Sequence, residues 1–489
     1  MGTATAGEAY RLYIDGEWVE PAAGRYPVVN PATEQVIDQA PEASADQVRD
    51  AVNSSRAAFH SWSRTRPEQR AEVMLRIVEL LDKYNDELVP LVQAETGATQ
   101  KVASTMQVPI CMERFRRYAR EAVEAHDIPL PPQVAPATAL APGGLVGAVA
   151  ARQPVGVVAC ITPYNFPLVN MAGKLAPALA MGNTVVIKPA PQDPLAVLRF
   201  AESAAEAGLP NGVLNVVTGS GAEAGQALVE ADIDMVSFTG STPVGQKIGE
   251  TAGHGMKRQL LELGGKGAGI VFDDADLGTA VTGIGSTWAF HSGQICTAPT
   301  RAIVHRSVHD EFVEKLAGMA KFLKVGDPLA PDTLVGPLIT STQRGRVEAL
   351  LAAGAKEGAE TVAGGDRPDI ETGYYVNPTL LDGVTIDMSV AQEEFFGPVV
   401  VVLTFDDEDE AIDIANGTPF GLYDYVYTKD AGRGYRVARQ LRTGNVGINT
   451  AQRNHEAPFG GFKMSGVGRD GGTFGLYAYS ELQSIVWPS

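Results

Sequence analysis

One cysteine, Cys296, stands where a reactive thiol could face a cleft. It follows a predicted helix over residues 280–290 and precedes Pro299 and the apolar start of a strand at Ala302. The thiolate is the nucleophilic form, and the unperturbed thiol pKa is about 8.5, so such a cysteine needs a helix end, a cation or a base nearby. A buried structural cysteine would fit the same local sequence, because free cysteine packs as a small hydrophobe. The choice depends on partners elsewhere in the chain.

Two polar side chains could assist a thiol nucleophile. Asn165 is the lone amide in the proline-bounded loop 162–167, and a rigid amide N–H is what an oxyanion needs; an asparagine that satisfies its own turn is the alternative. Glu262 lies inside an apolar run, where burial would raise its pKa toward the range of a general base. A salt bridge with Lys174 or Lys266 is the alternative for this carboxylate.

Two glycine-rich turns indicate a dinucleotide site. The segments 219–225 and 238–245 each follow a short apolar run and open a helix. Glycine lets the backbone approach a ligand, and a helix N-terminus presents unpaired N–H groups to an anion, to which Ser241 could add a hydroxyl. Lys188, at the end of another apolar run, offers donors where an acidic residue binds ribose in the familiar Rossmann pattern. Tight strand–helix turns and a solvated lysine are the alternatives.

Length, charge and cysteine usage narrow the class of protein. At 489 residues the chain should divide into two or three domains. The net charge of −19 argues against nucleic acid or an anionic membrane as a partner, and no apolar run is long enough to span a bilayer. Three cysteines without a CxxC pair fit a reducing compartment and argue against a structural metal site. The first six residues show no secretory signal, so a cytoplasmic location is expected.

Short apolar runs alternate with amphipathic helices from Pro154 onward, and the alternation restarts after Cys296. This pattern predicts an α/β fold with two doubly wound, Rossmann-like parallel-sheet units and an active site in the cleft between them. Helices are predicted near residues 44–59, 67–81 and 106–122, and they are interpreted as scaffold without chemistry.

A proline-rich stretch and a late strand interrupt this α/β pattern. Residues 129–136 break the helical pattern and are followed by an apolar strand at 145–152. The segment is either an arm that reaches away from its own domain or an ordinary surface hairpin. The tail at 477–487 predicts a last strand, which could pair with the strand at 145–152 of the same chain or of another.

Seven motifs, in order along nearly the whole chain, resemble the aldehyde dehydrogenase superfamily. They are Asn165, Lys188, the turn 238–245, LELGGK at 261–266, GQIC at 293–296, EEFFGPV at 393–399 and PFGGFKMSGVGR at 458–469. The resemblance implies an NAD(P)-dependent enzyme of the hydrolytic, non-CoA-acylating type. It also implies a discontinuous dinucleotide-binding domain (1–125 and 151–262), a catalytic domain (263–465), and an oligomerisation arm and tail (126–150 and 470–489). A small β-arm of this kind implies a homodimer or homotetramer.

The same resemblance assigns catalytic roles. Cys296 would attack the aldehyde carbonyl, and Asn165 would hold the resulting oxyanion together with the backbone N–H of Cys296. The thiohemiacetal would give a hydride to the nicotinamide and leave a thioester. Glu262 would then activate the water that releases a carboxylic acid. Sulfur suits this sequence because it both attacks and leaves readily.

Cofactor residues follow from the resemblance as well. Glu394 would bind the nicotinamide ribose with Phe396 beside it, and Lys188 the adenine-side ribose. The pyrophosphate would lie at Ser241 and the adjacent glycines. The full predicted set is Ile161, Thr162, Tyr164, Lys188, Ala190, Pro191, Gly221, Gly240, Ser241, Gly245, Leu263, Glu394 and Phe396. Pro191 stands where NAD-preferring members often carry Glu; NAD is favoured, and the loss of that carboxylate leaves room for NADP.

The substrate side is predicted to include Asn170, Gly173, Phe290, Ile295, Thr297, Arg453, His455 and Phe459. Many members have Trp at the position of Gly173, which suggests a roomier tunnel here. Many have Glu at the position of Thr473, which puts a proton relay from Glu262 in question. A medium or large apolar or aromatic aldehyde is expected, and no metal.

Two other functions fit parts of this pattern. A CoA-acylating dehydrogenase would transfer the acyl group to a thiol, a chemistry that has no need of the water-activating Glu262. A thioesterase-like hydrolase or a non-catalytic binding protein could use the same fold, because a fold alone does not prove turnover. The presence of Cys296, Glu262 and Asn165 together argues against a silent protein.

Overall fold

The computed structural model describes residues 9–488. Residues 1–8, where no secretory signal is expected, and Ser489, the last residue of the predicted tail, lie outside the described residues. The strands are β1 (Leu12–Ile14), β2 (Glu17–Val19), β3 (Arg25–Val29), β4 (Val36–Pro41), β5 (Ile128–Ala135), β6 (Gly144–Pro154), β7 (Val157–Ile161), β8 (Thr184–Lys188), β9 (Leu214–Val216), β10 (Met235–Thr239), β11 (Arg258–Glu262), β12 (Ala268–Val271), β13 (Arg301–His305), β14 (Glu360–Ala363), β15 (Thr379–Asp382), β16 (Val399–Phe405), β17 (Tyr423–Tyr427), β18 (Asn445–Ile448), β19 (Gly466–Val467) and β20 (Ser480–Pro488).

The helices follow in the same chain order. They are α1 (Ala45–Trp62), α2 (Pro67–Lys83), α3 (Asn85–Thr96), α4 (Gln100–Val102), α5 (Val108–Ala122), α6 (Pro167–Ala180), α7 (Pro194–Glu206), α8 (Glu223–Glu230), α9 (Thr242–His254), α10 (Leu277–Ala289), α11 (His309–Phe322), α12 (Ser341–Glu357), α13 (Ser389–Gln392), α14 (Glu408–Asn416), α15 (Ala431–Ala438) and α16 (Gly472–Ala478). A π-helical turn at Ala103–Gln107 leads into α5, and a 3-10 turn at His291–Gly293 follows α10.

Two large sheets organise the described part of the chain. The first has the strand order β19-β11-β10-β7-β8-β9-β1-β2, with β11 to β9 parallel and with antiparallel pairings for β19, β1 and β2. The second has the order β14-β15-β16-β13-β12-β17-β18 and is parallel except for β14. Helices lie between the strands in sequence. The predicted α/β fold with two Rossmann-like parallel sheets is confirmed.

Local sequence explains these elements. The strands β8 (TVVIK) and β12 (AGIV) are buried at every residue, as expected for parallel strands covered on both faces. The helix α1 begins with a reciprocal capping box between Ser44 and Gln47, and α2 begins at Pro67, whose missing N–H costs nothing in a first turn.

The carboxyl ends of four parallel strands form one edge of the first sheet. Strand β7 ends at Ile161, which is paired with Lys188 at the end of β8. Strand β10 ends at Thr239, which is paired with Glu262 at the end of β11. Open parallel sheets bind ligands beyond their carboxyl ends, so this register brings the predicted site residues to one edge. Strand β11 was not predicted, because its short apolar run was interpreted as a motif only.

A third sheet extends from the other two. Strand β20 pairs antiparallel with β6 along its whole length, within the same chain, and β5 completes the sheet. Large apolar side chains of this arm sheet are exposed: Ile128, Leu130, Val134, Leu145, Leu482, Ile485, Val486 and Trp487. Across residues 9–488, no helix is long and apolar enough to cross a bilayer.

Candidate active site

A cavity of ≈ 980 Å³ lies at this strand edge and is lined by residues of both large sheets and their loops. It gathers most of the predicted site residues: Cys296, Glu262, Asn165, Ile161, Thr162, Tyr164, Lys188, Ala190, Pro191, Gly240, Ser241, Leu263, Glu394, Phe396, Asn170, Gly173, Phe290, Ile295, Thr297, Arg453, His455 and Phe459. Two predicted residues, Gly221 and Gly245, are not among its lining. Residues far apart in sequence therefore share one chamber.

The nucleophile candidate Cys296 sits on a sharply turned segment. His291, Ser292 and Gly293 all have positive φ, and a Cβ at Gly293 would collide with the carbonyl oxygen of Gly397, so glycine is required there. A Cβ at Gly265 would likewise collide with the carbonyl oxygen of Cys296. Burial raises the pKa of the Cys296 thiol to about 12, and the guanidinium of Arg453 acts in the opposite direction.

Asn165 is anchored to the segment that carries the cysteine. Its Nδ2 donates to the carbonyl oxygen of Gln294 at 2.8 Å, and its Oδ1 accepts from the backbone N–H of Phe166 at 3.1 Å. The side chain is buried. Since an amide nitrogen carries two hydrogens, one N–H remains for an oxyanion. The alternative of a loop asparagine that serves only its own turn is thereby excluded.

Glu262 is a buried carboxylate at the end of β11. Within residues 9–488, neither of its oxygens has a hydrogen-bond partner. The salt-bridge alternatives do not form: Lys174 donates to Ser237 at 3.2 Å, and Lys266 lies over the ring of Phe395 at 4.3 Å. Burial raises the pKa of Glu262 well above its usual range, and the negative charge of Asp470 raises it further. An unpaired carboxylate of this kind is suited to take a proton from water.

Asp470 is a functional residue that sequence reasoning missed. It lines the cavity beside the catalytic candidates, whereas Thr473 does not. Backbone bonds in both directions with Phe459 hold it in place, and its Oδ1 accepts from the N–H of Gly471 at 2.7 Å. The sequence feature that could have identified Asp470 is its position directly after the PFGGFKMSGVGR motif. The carboxylate charge near Glu262 thus comes from residue 470, three positions before the one considered from sequence.

Glu394 lines the cavity beside Gly264 and Gly265. Its Oε1 accepts from the N–H of Gly265 at 2.8 Å, and a Cβ at Gly264 would lie 2.6 Å from its other oxygen. The missing side chain of Gly264 therefore leaves room for the carboxylate beside the backbone. Burial raises the pKa of Glu394 to about 7, and the bond from Gly265 opposes that shift.

Lys188 is held at the end of β8 with its ammonium group toward backbone oxygens. Its Nζ donates to the carbonyls of Pro189 at 3.2 Å and Gly219 at 3.3 Å. Burial lowers its pKa to about 8. An ammonium carries three donors, so one is left for a ligand hydroxyl. Gly221, the predicted glycine of this turn, is exposed; the contact with Lys188 comes from Gly219.

The N-terminus of α9 offers an anion site. Its cap residue Ser241 has no side-chain capping bond in the described chain, and Ser241 and Val244 line the cavity. Unpaired N–H groups at such a helix start attract negative charge. Gly245 contributes indirectly, because a Cβ there would collide with Leu263; glycine lets α9 pack closely on the end of β11.

Helix α5 and the turn before it form part of the cavity wall, so their interpretation as scaffold was wrong. Met106, Ile110 and Arg114 line the cavity at helical spacing, a period that could have been recognised from sequence. A Cβ at Gly173 would collide with the guanidinium of Arg114. The space expected from the small residue at 173 is therefore filled by Arg114, and the prediction of a roomier tunnel is corrected at this point.

The loop 450–457 closes the substrate side. Arg117 holds it by donating to the carbonyl oxygen of His455 and to the carboxylate of Glu456, each at 2.7 Å. Arg453 donates to the hydroxyl of Thr297 at 2.7 Å. The loop is thus fastened on one side to α5 and on the other to the residue that follows the nucleophile.

Comparison with known proteins decides the family. The model of the aldehyde dehydrogenase family matches residues 18–485. The chain belongs to the aldehyde dehydrogenase family. It is 39% identical over 495 residues to the chloroplastic betaine aldehyde dehydrogenase of Atriplex hortensis, covering 98% of this chain and 96% of that protein. It is 38% identical over 480 residues to the 3-succinoylsemialdehyde-pyridine dehydrogenase of a Pseudomonas species, covering 97% and 98%.

A solved structure supports the same family assignment. The NAD+ complex of an aldehyde dehydrogenase from Bacillus cereus superimposes with a TM-score of 0.92 at 38% identity, covering 98% of this chain and 97% of that chain. The predicted family, the oxidation of an aldehyde to a carboxylic acid and the use of NAD are confirmed.

The residues of the cavity fit NAD. The open N-terminus of α9 and the hydroxyl of Ser241 would hold the pyrophosphate, the remaining donor of Lys188 the adenine-side ribose, and the carboxylate of Glu394 the nicotinamide-side ribose. Each of these groups has unused bonding capacity in the structure. The dehydrogenase therefore presents hydrogen-bond donors to the phosphates. It presents one donor, Lys188, and one acceptor, Glu394, to the hydroxyl groups of the two riboses.

We expect Glu262→Gln to stabilise the dehydrogenase increasingly as the pH rises. The pKa of Glu262 in the folded protein lies well above its ordinary value of 4.5. The contribution of Glu262 to the free energy of unfolding is therefore most favourable below the ordinary value and is lost as the pH rises through the folded-state pKa. Glutamine does not titrate. The variant should gain about 1–3 kcal/mol in free energy of unfolding near neutral pH, measured by urea denaturation across the pH range.

The exposed Glu250→Gln on α9 serves as the matched control. It removes the same charge from the surface and should leave the pH dependence of unfolding nearly as in the parent protein. A Glu262→Gln difference that stays constant with pH would contradict the buried, unpaired state of Glu262.

Proposed function

We propose that the dehydrogenase carries the acyl group on Cys296 and releases it as a free acid by means of water activated by Glu262. The observation that supports this most is the unpaired carboxylate of Glu262 in the same cavity as Cys296. A buried carboxylate without a partner is unfavourable for stability, so its retention in that place indicates chemistry.

The first half of the reaction forms and oxidises a covalent adduct. The thiol of Cys296 releases its proton to water, the resulting thiolate attacks the aldehyde carbon, a C–S bond forms, and the carbonyl oxygen becomes an oxyanion. The free N–H of Asn165 and the backbone N–H of Cys296 stabilise that oxyanion. Bound NAD+ supplies the redox chemistry by accepting the hydride. The carbon is thereby oxidised to a thioester, and the carbonyl double bond is restored.

The second half hydrolyses the thioester. Glu262 takes a proton from water, the oxygen of that water attacks the thioester carbon, and the C–S bond breaks with the sulfur leaving as thiolate. Burial first, and the charge of Asp470 second, keep the pKa of Glu262 high, which strengthens it as a base but requires a pH at which it is ionised. Asp470 thus tunes the base without touching the reacting atoms.

The two alternatives are less well supported. Transfer of the acyl group to CoA would need no water-activating base, yet Glu262 is held buried and unpaired. A hydrolase or a silent binding protein would have no use for the cofactor-side groups, yet Lys188, Glu394 and the start of α9 line the cavity that contains Cys296.

The wall supports a medium or large aldehyde with an apolar body. Phe290, Ile295 and Phe459 face the cavity together with Met106 and Ile110 of the α5 region. Pro191 also lines it and carries no charge that would repel a 2′-phosphate, so NADP as a second acceptor stays a proposal. One relative is named for betaine aldehyde and another for a pyridine semialdehyde, and we infer a substrate within this range of sizes.

We also propose that the protein resides in the cytoplasm. Cys111, Cys160 and Cys296 are free thiols, which supports a reducing compartment and hence the cytoplasm. Cell fractionation followed by detection of the chain tests this location; recovery from an oxidising compartment or from membranes would contradict it.

An aldehyde panel with both cofactors, with and without CoA, tests the proposed reaction. We expect reduced cofactor to appear with aldehyde and without CoA, faster with NAD than with NADP. Cys296→Ala should lose at least about 10³-fold in kcat, because the covalent route is closed. The buried Cys111→Ala controls for loss of a thiol elsewhere and should keep most activity. Strict dependence on CoA, or full activity of Cys296→Ala, would refute the proposal.

We also propose that the arm sheet joins copies of the dehydrogenase. Strand β20 is an edge strand with unpaired backbone groups on its outer side, and the sheet exposes large apolar side chains, among them Ile485, Val486 and Trp487. Exposed apolar groups collected on one element indicate a surface that is covered in the assembled protein. The predicted homodimer or homotetramer is supported by this surface.

Val486→Asp should shift the assembly toward smaller species. The side chain is 59% exposed in the single chain, so the substitution should be tolerated by the fold but not by an apolar interface. Sedimentation velocity measures the result. Val36→Asp is the control, since Val36 is 53% exposed and lies on β4, outside the arm sheet. A wild-type monomer, or equal behaviour of the two variants, would contradict the proposal.

A further inference from the structure

The guanidinium of Arg453 occupies the substrate side of the cavity next to the nucleophile. It donates to the hydroxyl of Thr297, the residue directly after Cys296. It also lies over the ring of Phe459 at 4.6 Å and over that of Tyr423 at 5.6 Å. A full positive charge is thereby held in position by two rings and one hydroxyl.

Within residues 9–488, this charge has no salt-bridge partner. Among the residues that the structure describes, no carboxylate lies within salt-bridge distance of Arg453, whereas Arg117 on the same wall contacts both Glu121 and Glu456. The contrast follows burial: Arg117 is buried, whereas Arg453 is exposed, so the part of its guanidinium that Thr297 does not use is open to solvent and to a ligand. Arg453 uses one nitrogen for Thr297, and the rest of its planar fork matches a carboxylate.

The two aromatic rings beside Arg453 are not free to bind a cationic substrate. A quaternary ammonium group binds to aromatic faces, but the faces of Phe459 and Tyr423 are already covered by Arg453. The carboxylate of Asp470 lies close to Arg114 on the other side, since both approach the same point at Gly173. The charge of Asp470 is therefore partly balanced, whereas no described carboxylate forms a salt bridge with Arg453.

We propose that the aldehyde oxidised by this enzyme carries a carboxylate at its other end and that Arg453 binds this group. The inference rests on the proposed function and adds the substrate class, an ω-oxo carboxylic acid. Thr297 shares the anion site through its hydroxyl, and the apolar wall contacts the chain between the two ends.

Arg453 has one competing role, which is to favour the thiolate of Cys296 by its charge. That effect would accelerate every aldehyde by the same factor. An anion site acts only on substrates that carry the anion. The ratio of kcat/KM between an acid and its ester therefore separates the two roles, whereas an absolute rate does not.

The test compares 4-oxobutanoate, its methyl ester and betaine aldehyde as substrates with NAD. We expect the wild-type enzyme to prefer the acid over both. Arg453→Gln should lower the ratio of kcat/KM between acid and ester by at least about tenfold, as for loss of a charged hydrogen bond. Arg453→Lys should keep part of the ratio because it keeps the charge. Longer ω-oxo acids then report the distance between the two ends.

Arg442→Gln is the matched control. Arg442 also stacks on an aromatic ring, that of Phe462 at 5.3 Å, but it does not line the cavity, so its ratio should equal that of the wild type. An unchanged ratio in Arg453→Gln, or a wild-type preference for the ester or the cation, would overturn the anion site while leaving the proposed reaction intact. Failure to oxidise any aldehyde would instead overturn the proposed function, and the anion site with it.

Discussion

The burial of the Glu262 carboxylate without a partner is the constraint on which the rest of the site depends. An ionised carboxylate removed from water is destabilising unless something compensates, and here neither Lys174 nor Lys266 forms an ion pair with it. The backbone at Glu262 is fixed because strand β11 is paired with β10 on one side and with β19 on the other. The sheet therefore holds the Glu262 carboxyl group at a buried position that favours its protonated form. This position lies in the cavity in which the thioester on Cys296 would form.

The chain passes from the first sheet to the second at this same point. After Glu262 the backbone runs through Gly264, Gly265 and Gly267 into β12, and a Cβ at Gly265 or Gly267 would come too close to the carbonyls of Cys296 or Ala298. The glycines thus let the crossing segment lie against the nucleophile's own backbone. They also admit the carboxylate of Glu394 from the cofactor side. One short stretch positions base, nucleophile and cofactor group together.

Sequence patterns predicted most of this arrangement where the signal was local. The alternation of apolar runs and helices gave the two parallel sheets, and the capping box and Pro67 gave the starts of α1 and α2. Cys296, Asn165 and Glu262 were recognised by residue type and motif, and the structure brings them into one cavity. Strand β11 was not predicted because its five residues are too few to show the alternation of apolar and polar side chains that is typical of a strand.

The features of the site that could not be predicted from the sequence depend on contacts between distant segments. The approach of Arg114 to Gly173 and the placement of Asp470 by its pairing with Phe459 involve residues that carry no local signature of their roles. The same holds for Gly245, which was read as a ligand contact but packs against Leu263. The charge pattern of a pocket is a property of the folded chain, which is why the sequence suggested an apolar substrate and the structure adds an anion site.

Trapping the acyl group tests the central claim most directly. Glu262→Gln enzyme is mixed with NAD+ and an aldehyde, quenched in acid, digested and analysed by mass spectrometry. The account predicts that the peptide containing Cys296 gains the mass of the acyl group in the variant, that hydroxylamine removes it, and that wild-type enzyme shows little of it because hydrolysis is fast. No adduct on Cys296 in the variant, or equal amounts in both enzymes, would contradict the role assigned to the buried carboxylate.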